Sequence, residues 1–530
     1  MKTVWYGGTI YTMQREGETV EAVLVENDKI IAVGRYDELK LLADAEQHLE
    51  GATMLPGLVD SHLHMIMHGR KMLNLDLSEA KSADDMLARI KEAASKLDGE
   101  QWLLGEGWNE NAFADKQLPT LAQLDALYDG PIALQRICHH VLYVNTKGMA
   151  LAGITANTAA PSGGQIGYID GALNGLFYET ATQLFAHCWP TEGEAYIQTL
   201  EQELQVTVDT MLSMGLTGGH TEEMFYFGDY KNPLTAYNRV VGEKQNFRVN
   251  LLRHHEVFAQ MMAEQPTYAA PYVTPGAMKI FADGSFGGAT AAVLQPYVDQ
   301  PHNKGLLIHS NEEMEALVQL AREHNEAIAV HMIGDAAAEQ VISAIEKYPA
   351  PAGKRDRLIH LCLMTEAQLA RIQKLPVIVD VQPPFVPSDF PWIAERLGEA
   401  RLQYAYAWKT LLQSNVLCAG GTDAPIEQID PLVSIYTAVE RKWPHDTHAG
   451  YLPEQKLSLF EAVSLYTIGS AQATNQEHEF GYIAPNYYAD FSIFDRDILQ
   501  STDQLLAAKA MKTVVAGRIV FERAPITQGE

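Results

Sequence analysis

The fold of this chain is decided by the stretch Met54-Leu55-Pro56-Gly57-Leu58-Val59-Asp60-Ser61-His62-Leu63-His64. An apolar, strand-like run ends there in two histidines separated by one residue. Side chains two positions apart on an extended strand point the same way, so His62 and His64 can bind one metal ion. A His-x-His pair alone is structural about as often as functional, but its place directly after a strand favours a metal site.

Other apolar runs end in, or contain, side chains that can bind a metal. These runs are 327–330 before His331, 357–359 before His360, 416–422 before Asp423, and 277–281 around Lys279. In a (β/α)₈ barrel the carboxyl ends of the parallel strands meet at one face, and that face carries the catalytic residues. The motifs together therefore predict one metal site on a TIM-like (β/α)₈ barrel of the α/β class.

The spacing of apolar runs supports the barrel. The strand candidates are 53–60, 214–220, 246–254, 276–282, 326–331, 356–361, 376–381 and 415–421. Helical stretches such as 312–325 and 336–347 separate the later candidates, as a parallel barrel requires. The gap after the first candidate is too long for one βα unit, so residues from about 70 to about 200 are predicted to be an insertion. Insertions after barrel strands lie at the catalytic face, and we expect this one to line the substrate pocket.

The sequence pattern at both chain ends predicts short strands separated by turns. Neither end contains enough strand to bury a sheet face alone. The economical solution is one small β-sandwich built from residues 1–55 and 478–530, with the barrel occupying 56–477.

The ordered motifs resemble the amidohydrolase superfamily, and within it the amidohydrolase-3, or YtcJ-like, branch that includes N-substituted formamide deformylases. The fragments that carry the resemblance are 55–64, 278–280 with 283–285, 331–335, 382–383 and 422–425. They are spread over nearly the whole chain, and five ordered matches are far more specific than any one of them. The resemblance implies the same arrangement of a barrel and a small domain made from both termini.

A metal centre with six ligand positions follows from these motifs: His62, His64, Lys279, His331, His360 and Asp423. Imidazole and carboxylate ligands suit zinc best, with other divalent first-row metals as alternatives. Burial lowers the pKa of a lysine, and a neutral amine can react with carbon dioxide to give a carbamate. The resemblance implies that such a carbamate on Lys279 bridges two ions. The alternative is a salt bridge between Lys279 and Asp283.

These ligands predict a hydrolysis. In the expected reaction a metal-bound hydroxide attacks the carbon of an amide-type or formamide-type C–N bond in a small molecule. Asp423 acts as the proton shuttle, taking the proton of the attacking water and giving it to the leaving amine. His140, which matches a histidine of a branch motif, is expected to help hold the oxyanion. Asp60 and Ser61 are candidates for orienting the imidazoles.

The residues that bind the substrate are harder to identify. Trp108 lies in a Gly-Glu-Gly-Trp stretch that resembles a branch motif for an aromatic pocket wall, and a place in the core is the equal alternative. His220 and Glu222 follow the second strand candidate and are expected to reach the site. Arg401, before the eighth candidate, is a further polar contact.

Two alternatives to an amidohydrolase of small amides stay open. One is a mononuclear-type aminohydrolase that deaminates a heterocycle, and the other is a non-catalytic binding or regulatory protein. Lys279 favours the amidohydrolase, because many deaminase relatives lack the bridging lysine. The stretches 286–289 and 335–336 lack arginines that the family often carries, which disfavours a carboxylate-rich substrate.

Composition restricts the classes of partner that this protein is expected to bind. The chain has 530 residues and a formal net charge of −28, which argues against binding to nucleic acid or to an anionic membrane. The start of the chain shows no signal-peptide core, and the widely spaced cysteines Cys138, Cys188, Cys362 and Cys418 are typical of buried thiols in a reducing cytoplasm. We therefore expect a cytoplasmic enzyme with a small-molecule substrate, and the resemblance implies a homodimer.

Overall fold

The structure is a computed structural model that describes residues 1–114, 116–136, 140–161, 163–189 and 192–524. In these ranges the strands are β1 Lys2–Tyr11, β2 Thr19–Glu26, β3 Lys29–Gly34, β4 Ala45–His48, β5 Thr53–Pro56, β6 Leu58–Leu63, β7 Leu75–Asp76, β8 Leu103–Trp108, β9 Ile132–Arg136, β10 Val141–Val144, β11 Gly164–Ile169, β12 Ala172–Glu179, β13 Leu216–Glu222, β14 Arg248–His254, β15 Val273–Phe281, β16 Ile328–Met332, β17 Asp356–His360, β18 Val377–Val381, β19 Leu417–Gly420, β20 Phe491–Phe494, β21 Ala510–Val515 and β22 Arg518–Glu522. The helices are α1 Tyr36–Leu39, α2 Met65–Leu73, α3 Ala83–Ala94, α4 Leu121–Asp125, α5 Thr146–Leu151, α6 Gly193–Ser213, α7 Lys231–Val240, α8 His255–Glu264, α9 Asn311–Glu323, α10 Asp335–Lys347, α11 Glu366–Ile372, α12 Phe385–Leu397, α13 Glu399–Leu402, α14 Trp408–Gln413, α15 Pro431–Glu440, α16 Leu459–Ser464, α17 Ser470–Ala473 and α18 Thr502–Ala507.

A nearly closed parallel barrel forms the centre of the first compact unit, which comprises Met1–Met65 and Thr207–Glu530. Its strand order is β6-β13-β14-β15-β16-β17-β18-β19. The strands are mostly buried on both faces, which explains why they read as continuous apolar runs in the sequence. The last strand, β19, lies next to the first, β6. There the amide of Asp423, just after β19, donates to the carbonyl of His62 in β6 at 2.7 Å. The predicted TIM-like fold is confirmed.

The first strand candidate, 53–60, was wrong as a single barrel strand. It is two strands, because β5 pairs with β20 in a different sheet and only β6 enters the barrel. Gly57 separates them, and a Cβ atom there would lie 2.3 Å from Oγ1 of Thr217. A continuous apolar run conceals such a break, because neither strand changes its hydrophobic pattern at the junction.

Both chain ends build one mixed sheet in the order β22-β21-β20-β5-β1-β2-β3, with β4 paired to β1. Its core joins Trp5 and Val23 from the amino end to Phe491 and Ile493 from the carboxyl end. The hydroxyl of Ser492 links this sheet to the barrel, since it accepts from the amide of Leu58 at 2.9 Å and donates to the carbonyl of Gly215 at 2.6 Å. The sheet built from both chain ends thus anchors the amino ends of the first barrel strands, and its assignment as a separate domain stays a prediction.

The second compact unit is Ile66–Val206, where sequence analysis placed the insertion at about 70–200. It has a sheet in the order β11-β12-β10-β9-β8-β7 and two apolar clusters. Cys188 is a free thiol of this unit, Cys362 and Cys418 are free thiols of the barrel, and Cys138 lies outside the described residues. Among the helices that the structure describes, none has the length and hydropathy to cross a bilayer.

Candidate metal centre

His62, His64 and Asp423 lie together where the first and last barrel strands end. The Nε2 atoms of His62 and His64 are 3.5 and 3.3 Å from Oδ1 of Asp423. Ligand atoms of the three residues all lie within 4.8 Å of one another. Tetrahedral zinc binds nitrogen and oxygen at about 2.1 Å, which places neighbouring ligand atoms about 3.4 Å apart. The observed spacing fits one metal ion between these side chains.

The hydrogen bonding of Asp423 supports the same assignment. Its Oδ1 atom is buried and accepts no well-formed hydrogen bond from the described residues, the two imidazole nitrogens being 3.3 and 3.5 Å away, an arrangement that is costly unless another group satisfies the oxygen. Burial acts to raise the pKa of Asp423, but the neighbouring His64, His360 and Lys279 hold it below its usual value. A buried, ionised oxygen that faces two imidazole nitrogens is suited to a divalent cation.

The other three predicted ligands lie next to this group. The Nζ atom of Lys279 is 3.4 Å from Nε2 of His62. The ring centroid of His360 is 5.6 Å from that of His62 and 4.6 Å from that of His331. Burial lowers the pKa of Lys279 to about 8, so about one-tenth of the amine is neutral at pH 7. The structure therefore brings all six predicted positions to one end of the barrel.

The histidine rings are oriented by acceptors on their outer nitrogens. The contacts are His64 Nδ1 to the carbonyl of Glu222 at 2.8 Å, His360 Nδ1 to Oε1 of Gln382 at 2.8 Å, and His331 Nε2 to the carbonyl of Gly284 at 3.0 Å. A neutral imidazole that donates from one nitrogen keeps the other nitrogen as an acceptor or metal ligand. These contacts leave Nε2 of His64 and His360, and Nδ1 of His331, for a metal.

Asp60 ties the two strands of this site together. Its Oδ1 accepts from the amide of His62 at 3.0 Å, and its Oδ2 accepts from the hydroxyl of Thr422 at 2.7 Å. Gly421 permits this close approach, because a Cβ atom there would lie 2.5 Å from the nitrogen of His62. Asp60 thus acts on the backbone of His62, while no described residue hydrogen-bonds the buried hydroxyl of Ser61.

The alternative partner of Lys279 is otherwise engaged. The carboxylate of Asp283 accepts the backbone amides of Ala292, Ile333 and Gly334 at 2.8 to 2.9 Å. The ion pairs between described residues include none between Lys279 and Asp283. Asp283 instead holds the loop after β15 against the loop after β16.

Among the predicted substrate residues, Glu222 lies beside the metal ligands. It is fully buried, its Oε2 accepts from the hydroxyl of Tyr226 at 2.5 Å, and its Oε1 has no hydrogen-bond partner in the part of the chain that the structure describes. His220, on the same strand, instead lines a cavity of about 150 Å³ together with Arg248 and Asn250 at the amino ends of the strands. A role for His220 in substrate binding stays a prediction that this placement does not support.

Arg401, Trp108 and His140 have other partners. The guanidinium of Arg401 donates to the carbonyls of Gln295 and Pro296 at 2.8 and 3.0 Å, so it fixes a loop. Trp108 is 1% exposed in the core of the second unit, and a place in the core was the alternative to the predicted aromatic pocket wall. His140 of that unit is exposed, and its Nδ1 lies 2.9 Å from Oε2 of Glu179. The roles assigned to these three residues stay predictions.

A cavity of about 310 Å³ adjoins the metal ligands within the first unit. Its lining residues are Ser285, Phe286, Gly287, His331, Ile333, His360, Phe385, Asp389, Asp423, Ile426 and Glu427. A small molecule in this cavity would contact three of the six ligand positions directly. The arrangement can therefore hold a substrate against a metal centre, as a hydrolase requires.

Comparison with known proteins assigns the family. A model described as "Amidohydrolase family" matches residues 46–521. The chain belongs to the amidohydrolase family. It is 43% identical over 532 residues to YtcJ of Bacillus subtilis (strain 168), a protein named as an amidohydrolase, with 99% of this chain and 100% of YtcJ covered. It is 25% identical to the N-substituted formamide deformylase of Arthrobacter pascens, with 97% of each chain covered.

A comparison with a solved structure extends this result. A metal-dependent hydrolase from Pyrococcus furiosus matches with a TM-score of 0.77 and 27% identity, over 94% of this chain and 100% of that one. Family and fold therefore support a metal-dependent hydrolase, and the family implies a divalent metal. The resemblance predicted from the motifs is confirmed.

Sequence reasoning missed several residues of this amidohydrolase site. Gln382 was noted only as part of a motif, although its place directly after β18 is a signal for the catalytic face. Phe385 and Asp389 lie on α12, and Tyr226 lies in the loop after β13. No spacing pattern in the sequence connects these three residues to the ligands, because tertiary packing alone brings them there.

Proposed function

We propose that this amidohydrolase hydrolyses an amide-type or formamide-type C–N bond of a small molecule. The observation that carries the proposal is the position of Asp423. Its unpartnered Oδ1 faces the Nε2 atoms of His62 and His64, and the same residue lines the cavity beside His331 and His360. A carboxylate in this position can reach both an attacking water and a leaving group on a substrate in the cavity.

The six side chains would hold two divalent ions, and zinc is the ion proposed. His62, His64 and Asp423 form one side of the centre, His331 and His360 form the other, and a carbamate on Lys279 would join them. When bound, such ions lower the pKa of the attacking water and polarise the scissile carbonyl.

Asp423 supplies the proton transfers. Its carboxylate takes the proton of the attacking water and later gives it to the nitrogen of the departing amine. The residue adopts a left-handed backbone conformation with φ of 59°, and its amide is fixed to the carbonyl of His62. Such a conformation is uncommon outside glycine and here fixes the direction in which the carboxylate points.

The first experiment is metal content per chain by elemental mass spectrometry, on protein purified without chelator. We expect about two zinc ions per chain, a fall toward one in Lys279→Ala, and a lower content in His331→Ala. The exposed lysine variant Lys96→Ala is the control and should keep the wild-type content, because Lys96 is exposed just beyond the end of α3, where it pairs with Glu92.

A screen of the same metal-loaded protein then separates the reaction classes. Release of an amine from N-substituted formamides or amides supports the proposal. Release of ammonia from heterocyclic amines, with one ion per chain, would replace it by the deaminase alternative. Protein that neither contains nor takes up metal would overturn both and favour a non-catalytic role.

A further inference from the structure

The cavity beside the metal ligands has a location that suits one part of a substrate. It is bounded on one side by His331, His360 and Asp423 and extends away from them. A substrate whose reacting carbon lies at the metal ligands would place one of its substituents in this space. The lining of the cavity therefore determines which substituents are accepted.

Most of the remaining wall is apolar. Phe286, Ile333, Phe385 and Ile426 supply it, and the ring of Phe385 stacks on the ring of His360 with centroids 5.6 Å apart and planes 11° from parallel. An apolar protein cavity of about 150 Å³ is large enough to bind benzene. A volume of about 310 Å³ thus holds one aromatic or branched aliphatic group together with a polar extension.

In the part of the wall away from the metal ligands, the charged side chains are carboxylates. Asp389 and Glu427 line the cavity, and none of its described lining residues is a lysine or an arginine. A carboxylate on the substrate would be repelled by Asp389 and Glu427. An ammonium group loses hydrating water when it enters the cavity, and a fixed carboxylate would take the place of that water. The net charge of −28 also favours the approach of cations over anions.

Asp389 is held in place for such a contact. Its Oδ2 atom accepts from the hydroxyl of Tyr406, which is 1% exposed. Asp389 lies four residues after Phe385 in α12, so the apolar wall and the carboxylate share one face of the same helix. Burial raises the pKa of Asp389 to about 6, which leaves the carboxylate mostly ionised at neutral pH.

We propose that this cavity is a substrate subsite for an apolar substituent with a cationic, ammonium-type end, and that Asp389 pairs with that end. The inference rests on the proposed amidohydrolase function and names its substrate class. Asp389 is a residue that determines specificity, whereas the reacting atoms are handled by the metal ligands.

The test uses three formamides of matched shape on metal-loaded, full-length enzyme. They are N-formyl derivatives of a benzylamine whose para substituent is a methyl, an aminomethyl or a carboxylate group. We expect kcat/KM for the aminomethyl compound to exceed that for the methyl compound about tenfold, and the carboxylate compound to be the poorest, because a charge-assisted contact is gained or opposed.

Variants assign this preference to the cavity. Asp389→Asn should lower the aminomethyl-to-methyl ratio about tenfold. Ile426→Arg should lower it as well, and this change is tolerated by the fold because Ile426 is 64% exposed. Asp446→Asn, a partly buried aspartate outside the lining, should leave the ratio unchanged. Formamide hydrolysis with equal or reversed preference, or a preference that survives both cavity variants, would overturn the inference while the proposed function stands.

Calorimetric binding of 4-methylbenzyl alcohol and 4-(aminomethyl)benzyl alcohol to the metal-loaded protein removes the dependence on turnover, because only the second compound carries an ammonium group. Tighter binding of the amine that Asp389→Asn abolishes supports the subsite, even if no formamide is hydrolysed and the proposed function fails. Equal binding of both compounds, or a preference for the amine that neither cavity variant lowers, would overturn the subsite.

Discussion

At the carboxyl end of the barrel several buried polar atoms have no hydrogen-bond partner among the described residues, whereas the charged pair of Arg248 and Asp490 at the amino end is joined by two hydrogen bonds. Asp423 Oδ1 and Glu222 Oε1 are two of the unpartnered oxygens. At the amino end the guanidinium of Arg248 donates twice to the carboxylate of Asp490, which also accepts the amide of Ala516 at 2.7 Å. Unbonded buried oxygens cost stability, and those of Asp423 and Glu222 lie beside the predicted metal ligands, where the proposed chemistry can use them, while the bonded pair holds two parts of the fold together.

The largest expected effect is at the carboxyl end. Asp423→Asn removes the proton shuttle and keeps the shape of the side chain. Turnover should fall by about 100-fold to 10,000-fold, the range of general acid–base catalysis. Metal content, measured by elemental mass spectrometry, should be retained, and the unfolding midpoint in urea should not fall.

This variant tests the first half of the comparison. Unchanged turnover would remove Asp423 from the chemistry. A large loss of stability would mean that its buried carboxylate is a structural group, like the charged pair at the other end.

The second prediction concerns the amino end. Asp490→Ala leaves the guanidinium of Arg248 buried without its partner, and breaking such a pair costs about 3 kcal/mol of unfolding free energy. Urea denaturation should show this loss, while turnover per folded molecule stays at the wild-type value. Glu522→Ala is the matched control, because its pair with Lys512 is more than half exposed at the glutamate and contributes less than about 1 kcal/mol.

If Asp490→Ala unfolded at the wild-type urea concentration, the stability of the terminal sheet would not depend on the pair of Arg248 and Asp490. Lost turnover in folded protein would show that the amino end takes part in the reaction.

The difference between the ends also explains what the sequence could predict. The ligand positions were predictable because each lies in or just after an apolar run, and a run that ends in His331 or His360 places that residue at a strand end in any parallel barrel. The first strand was misjudged because Gly57 interrupts no apolar pattern, and only its contact with Thr217 shows why the chain bends there.

The other residues of the site could not be predicted, because their positions depend on tertiary packing. Asp389 looks like any helical aspartate in the sequence, and its place in the cavity wall follows from tertiary packing, in which Phe385 of α12 stacks on His360 of β17. His220 and Glu222 are two residues apart on one strand, yet the first lines a cavity at the amino ends and the second adjoins the metal ligands. The position of a residue along a strand limits which face of the sheet its side chain can point to. How the barrel closes then decides whether that side chain lies at the amino end or at the carboxyl end of the barrel.

The smallest predicted effect concerns Gln382, which accepts from Nδ1 of His360 through its Oε1 at 2.8 Å. Gln382→Leu removes the acceptor, so the ring of His360 loses its orientation and its donor is left unpaired. Metal affinity should fall by about 10-fold to 100-fold, the usual effect of losing such an outer contact. Competition with a calibrated zinc chelator measures it.

Two further variants show whether orientation of the ring is the cause. Gln382→Glu keeps an acceptor at the same place and should restore most of the affinity. Gln368→Leu changes an equally buried glutamine that caps α11, so it should lower stability and leave zinc affinity unchanged. If Gln382→Leu and Gln368→Leu behaved alike, Gln382 would belong with the structural groups of the amino end, and the contrast between the two ends would not extend beyond the ligands themselves.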